Sequence, residues 1–259
     1  MPALDSSGSI IPSWVRDRLT LGMTSRLDRF EGTGSKSKIS GSWQSIAMSG
    51  YGTLTNQFRA KWGKNPRLAV VEGYIGSRLA AIDSRLFETF RYVDPSPDNG
   101  STFSYEFSSI LRDCGSVFDS AMRELLRVAE WPEPKQGYDI RDHKKFLASS
   151  LDRQAFQQES PGGIETVVVT LNSPWARRHV IPYRGLSDVG MKLEWWDAYN
   201  DAKHSDLENV ARGNLANAVN AVGALVILSA LVGEPGRHTL SFGAPMLYEP
   251  MDEILSRLF

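Results

Sequence analysis

RLAVVEGYIGSRLAAIDSRLFETFRY, residues 67–92, decides the fold class of this 259-residue chain. Leu68, Val71, Ile75, Leu79, Ile82, Leu86 and Phe90 recur at steps of three and four. Those steps lay one continuous apolar stripe along a helix and cannot alternate across a strand. The spacing predicts a long helix over Arg67–Tyr92. Asp94-Pro95-Ser96-Pro97-Asp98-Asn99-Gly100 ends it, because proline removes a donor and disfavours helical backbone before it. A second stripe follows within Thr102–Ala129: Phe103, Phe107, Ile110, Leu111, Val117, Phe118, Met122, Leu125 and Val128. Two long helices joined by a short Pro-rich turn predict an antiparallel hairpin.

Outward from that hairpin the pattern changes twice. Toward the C-terminus a third helix is expected at Ile140–Phe156, and Pro161-Gly162-Gly163 breaks the chain. Glu165-Thr166-Val167-Val168-Val169-Thr170-Leu171 is rich in β-branched residues and reads as a strand. Asn172-Ser173-Pro174 supplies a turn, and His179–Tyr183 can pair back. Leu193–His204 then reads as a helix. Ser205-Asp206-Leu207-Glu208 has capping-box spacing, so a last helix is expected to start there and run to Val232, with Leu215, Val219, Val222, Val226 and Ser229 on one side. Gly233-Glu234-Pro235-Gly236 stops it, and the tail suggests a strand at His238–Phe242 and a helix at Glu249–Phe259.

Toward the N-terminus the signal weakens. A helix is expected from Pro12 to Phe30, a Gly/Ser/Lys-rich loop at 31–42, and a helical stretch near Leu54–Trp62. Residues 1–66 carry nine Lys/Arg against four acids, which suits either a phosphate-facing arm or a solvated surface. The reading is therefore a mainly α protein. Residues 1–66 form a basic, partly helical extension. Residues 67–259 form a helical bundle with a small β-hairpin near 165–183, built from the long-helix hairpin and a C-terminal helix pair.

Net charge is −1, so no global basic excess advertises nucleic-acid binding. The single cysteine, Cys114, excludes an internal disulfide and fits a reducing, cytoplasmic compartment. Its flanks read as helix, so it is expected as a buried thiol. The first thirty residues show no apolar leader segment. Ala218–Val232 is apolar but short for a span of about 20 residues, so a core helix and no membrane association are expected. His143, His179, His204 and His238 have no ligand partners at metal-binding spacing. No nucleotide-binding loop or nucleophile elbow is complete, so neither metal nor cofactor is expected.

The chemistry-bearing segment is Trp195-Trp196-Asp197-Ala198-Tyr199-Asn200-Asp201-Ala202-Lys203-His204. On a helix Trp196, Asn200, Lys203 and His204 share a face. The negative end of the helix dipole sits where Lys203 and His204 place positive charge. RNA cleavage needs a group that moves a proton at the ribose hydroxyl or the leaving oxygen, which histidine can do. It also needs charge stabilisation at phosphate, which lysine, arginine or an amide can provide. The same residues can equally serve packing and capping at a helix end. Adjacent Trp195 and Trp196 point about 100° apart. Either one indole stays near the surface as an interface anchor beside Tyr199 and Lys203, or both are buried, one against the bundle and one under the hairpin.

The run from Val180-Ile181-Pro182-Tyr183 through Tyr199-Asn200-Asp201-Ala202-Lys203-His204, with Asn214–Leu225 after it, resembles HEPN-like proteins of bacteria and phage. In that group a Trp-rich helix ending in Tyr-Asn-x-x-Lys-His precedes an Ala/Leu-rich helix. The matching stretch is about 50 residues. The resemblance implies a helical bundle that commonly forms a homodimer with its sites at the two-fold interface. It also implies binding or metal-independent cleavage of RNA in toxin–antitoxin or antiphage systems, with an antitoxin or other protein as partner. Carried onto this chain, His204 is the acid/base, Asn200 the orienting residue and Lys203 the electrostatic stabiliser. Tyr199, Trp196 and Arg112 are the expected substrate-binding residues. The family's catalytic motif carries Arg where this chain has Tyr199, and no Arg lies between Arg184 and His204. The alternative is a non-catalytic dimeric interaction scaffold with a degenerate motif.

Overall fold

The first long helix, α1, spans Pro66–Thr89. The computed structural model describes residues 56–149, 163–172, 177–186, 188, 191–204, 209–233 and 246–247. All lie within a unit running from Trp43 to Phe259. The helix expected after Pro12, the loop at 31–42, the strand at 238–242 and the helix at 249–259 fall outside the described residues.

Helix α1 starts where the local chemistry says it should. Pro66 sits at its first turn, and the Asn65 side chain accepts from the Arg67 N–H at 3.0 Å. Its stripe from Leu68 to Leu86 is buried. Helix α2, Tyr105–Val128, is capped by Ser104, whose Oγ accepts from the Phe107 N–H at 3.0 Å. A 3-10 turn at Pro97–Asn99 lies between them. Arg85 near the end of α1 donates to Glu106 and Ser109 near the start of α2, at 2.9 and 2.8 Å. The two helices are therefore antiparallel, as the stripes predict.

Helix α3 is described over Ile140–Ser149. Residues 56–62 are also helical and pack on it, with the Trp62 and Phe146 ring centroids 5.6 Å apart. Phe58 is 2% exposed, so the bundle core takes in residues before the 66/67 boundary read from the sequence.

The sheet has three strands in the order β2-β1-β3: β1 Val167–Asn172, β2 Arg177–Val180 and β3 Met246–Leu247, all antiparallel. Val169 pairs with Val180, and Val168 with Met246. Two boundaries differ from the sequence reading. Residues 163–166 form a 3-10 turn rather than the start of β1. The second strand lies earlier than His179–Tyr183, because Pro182 has no N–H to donate and the chain turns there. The Arg184 and Leu186 N–H groups bond back to Ile181 and Tyr183, and Gly185 adopts φ 76°.

Helix α4, Glu194–His204, and helix α5, Leu215–Val232, complete the bundle. The start of the last helix at Ser205 is corrected: α5 begins at Leu215, after a 3-10 turn at Val210–Arg212. Backbone pairing explains the break. Phe103 and Asn214 form a β-bridge. Ser104 N–H donates to Gly213, and Leu215 N–H to Thr102. These bonds hold the chain extended until Asn214 caps the new helix through the Asn217 N–H at 2.9 Å. Helix α5 also buries nearly its whole circumference, not one side. It packs on α1, α2 and α4 and under the hairpin. It is long and apolar enough to cross a membrane, yet 83% of it is buried inside the protein, as expected of a core helix.

Candidate functional site

Helix α4 lies on α2 through aromatic rings. Trp195 and Trp196 are 2% and 7% exposed, so the surface indole is overturned and the alternative with both rings buried is found. The cause is the packing partner. Phe118 receives both indoles edge-on, at 5.2 and 5.5 Å between centroids. The Trp195 Nε1–H donates to the Pro182 carbonyl at 2.9 Å, which ties α4 to the turn after β2. Trp196 also meets His143 and Tyr199.

Trp196 and Tyr199, expected as substrate contacts, are core residues. Tyr199 is 6% exposed. Its ring occupies the space above Gly115 in α2, where an added Cβ would come within 2.3 Å. The polar candidates separate from them. Asn200 is half-buried, while Lys203 and His204 are exposed at the end of α4. The Lys203 ammonium stands 5.7 Å over the Tyr199 ring, a cation–π placement. Asp201 is held by Arg212 at 3.0 Å. Arg112 is half-buried on α2, one turn before Gly115. The structure thus brings Asn200, Lys203 and His204 to one helix end and removes the two aromatics from it.

Cys114 is fully buried, and burial pushes its thiol well above the ordinary range. It is a packing residue without nucleophilic character. Among the described residues no group of three or more His, Cys, Asp or Glu is placed to hold a metal ion.

A second polar feature escaped the sequence reading. A cavity of about 610 Å³ lies between β2, the turn after it and the start of α4. Arg178, Arg184 and Lys192 line it, with Asn220 of α5. Arg178 is half-buried, its Nη1 is buried without a hydrogen-bond partner, and desolvation lowers its pKa with no carboxylate offsetting the effect. In the sequence Arg178 lies just before the expected strand at His179–Tyr183, where only its charge is visible and not its isolation.

No family model matches the chain, and no curated protein and no solved structure matches it.

Proposed function

We propose that this protein binds or cleaves RNA through the end of α4, with His204 as the proton-transfer group, Asn200 orienting the substrate and Lys203 stabilising charge on the phosphate. The observation that carries the reading is the exposure of His204 and Lys203 beside Asn200. A proton-transfer residue has to reach its substrate within hydrogen-bond distance, and an exposed imidazole meets that requirement. The HEPN resemblance supports the same assignment and places the protein in a bacterial or phage conflict system, with an antitoxin or other protein partner. It acts without a metal and as a homodimer. The buried Trp195 and Trp196 remove the exposed anchor argued for that dimer, so the dimer rests on the resemblance alone.

A second reading is favoured by one observation. Tyr199, where the family motif carries Arg, is locked against Gly115, so this chain has no arginine at that place. A helix end without it suits an interaction scaffold. Purified protein incubated with total RNA separates the two. RNA cleavage or retention that disappears in His204→Ala supports the site. RNA cleavage or binding unchanged by His204→Ala removes the assignment. Light scattering at tens of micromolar tests the dimer, and a monomer mass overturns it.

A further inference from the structure

The cavity behind β2 is lined by three cationic side chains, Arg178, Arg184 and Lys192. Arg178 belongs to β2, an edge strand of the sheet. Its Nη2 lies against the turn at residues 97–100, where a Cβ on Gly100 would approach it to 3.4 Å. Its Nη1 is buried with no partner. Nη1 itself is out of reach of solvent, so it is the half-buried guanidinium charge, desolvated and lining the cleft, that an anion bound there would stabilise. Arg184, in the turn after β2, is exposed and also lines the cleft. Lys192 lies on the rim, 3.5 Å from Asp197. Among the described residues Glu194 is the one acid in the lining.

The space exceeds what an inorganic anion needs. A volume of about 610 Å³ falls in the range of small-molecule sites, roughly 300–1,000 Å³. Ile181 and the exposed Met191 give the lining an apolar shelf, while Val180 and Pro182 are buried toward Gly223 of α5. One Nδ2–H of Asn220 donates to the Ala216 carbonyl at 2.9 Å, which leaves its Oδ1 acceptor and a second N–H. That arrangement pairs a cationic end with an apolar shelf and two acceptors, Asn220 and Glu194.

We propose that this cleft binds a 5′-mononucleotide. The phosphate sits on Arg178 and Arg184, the base lies on the apolar shelf within reach of the Asn220 amide oxygen, and Glu194 accepts from the ribose hydroxyls. The site is independent of the RNA reading. Glu194 and His204 are at opposite ends of α4, ten residues and so about 15 Å apart, too far for one phosphate to touch both.

Calorimetric titration of the full chain with adenosine 5′-monophosphate, guanosine 5′-monophosphate, adenosine and inorganic phosphate tests it. One of the two nucleotides should bind with a Kd of about 1 mM or tighter. Adenosine and inorganic phosphate should each bind at least about tenfold more weakly, since each lacks half of the contacts. Arg184→Gln, on an exposed residue, should weaken nucleotide binding about tenfold or more, as should Arg178→Gln if it folds. His204→Ala should leave it unchanged, so loss of the RNA activity and loss of this site are told apart. No heat from either nucleotide up to about 10 mM, inorganic phosphate binding as tightly as the nucleotide, or affinity indifferent to Arg184→Gln would each overturn the proposal.

Discussion

Tyr199 lies directly on Gly115, so that its ring meets the backbone of α2 with no α2 side chain between them. A Cβ on Gly115 would stand 2.3 Å from two atoms of the ring, well inside van der Waals contact. The close approach also sets the Tyr199 ring under the Lys203 ammonium and beside Trp196, at 5.0 Å between centroids.

Gly115→Ala should therefore destabilise the protein although alanine is the better helix former by about 1 kcal/mol. Overpacking a tight contact costs typically about 1–3 kcal/mol, and the ring has Trp196 behind it. Urea unfolding should show a net loss of up to about 2 kcal/mol after the propensity gain. A midpoint equal to or above the parent's would mean that α4 shifts freely on α2.

His143 makes stability depend on pH. The imidazole is fully buried, and neither ring nitrogen has a hydrogen-bond partner. Burial lowers its pKa from 6.5 to about 4, only partly opposed by Asp119. The Asp119 carboxylate at 3.8 Å is beyond hydrogen-bond reach, so we take the ring as neutral. With the folded value below the unfolded one, the unfolded chain binds the extra proton. This contribution is intact above about pH 6.5 and is lost as pH falls toward about 4. The interval corresponds to about 3 kcal/mol at roughly 1.4 kcal/mol per pH unit. Unfolding curves at pH 7 and pH 4.5 should diverge for the parent and much less for His143→Phe; equal acid sensitivity in both would exonerate His143.

Arg85 is the polar clasp between the long helices, bonded to Glu106, Ser109 and Asp113. The ion-paired side chains are partly exposed, so solvent screens the pairs. Arg85→Ala should cost about 1 kcal/mol, and the difference from the parent should shrink in 1 M salt. A loss insensitive to salt would point to packing of the arginine stem instead.

Asn214 determines where α5 begins. Its side chain accepts from the Asn217 N–H at 2.9 Å, and its backbone bridges Phe103. Asn214→Ala should cost about 1 kcal/mol, and Asn214→Ser or Asn214→Asp should restore most of it. If the alanine variant melts with the parent, the bridge alone is sufficient to start the helix.

The two helical stripes were legible because each is a local periodicity. Leu68 to Phe90 and Phe107 to Val128 need no knowledge of their partner to declare a buried face. The apolar content of Leu215–Val232 likewise announced a core helix. Where α5 starts was not legible, because Ser205–Glu208 carries capping chemistry while the backbone bonds that hold the chain extended at Asn214 come from residues 100–104. The character of α4 was half legible. Spacing puts Asn200, Lys203 and His204 on one face, but Trp196 occupies that same face and is buried. Only Phe118 and Gly115 on α2 decide that the indoles and Tyr199 turn inward while His204 stays out. The isolation of Arg178 belongs wholly to the tertiary structure. A guanidinium lacks partners only by virtue of what surrounds it, and its surroundings come from segments between 81 residues before it and 42 after it, from Pro97 to Asn220.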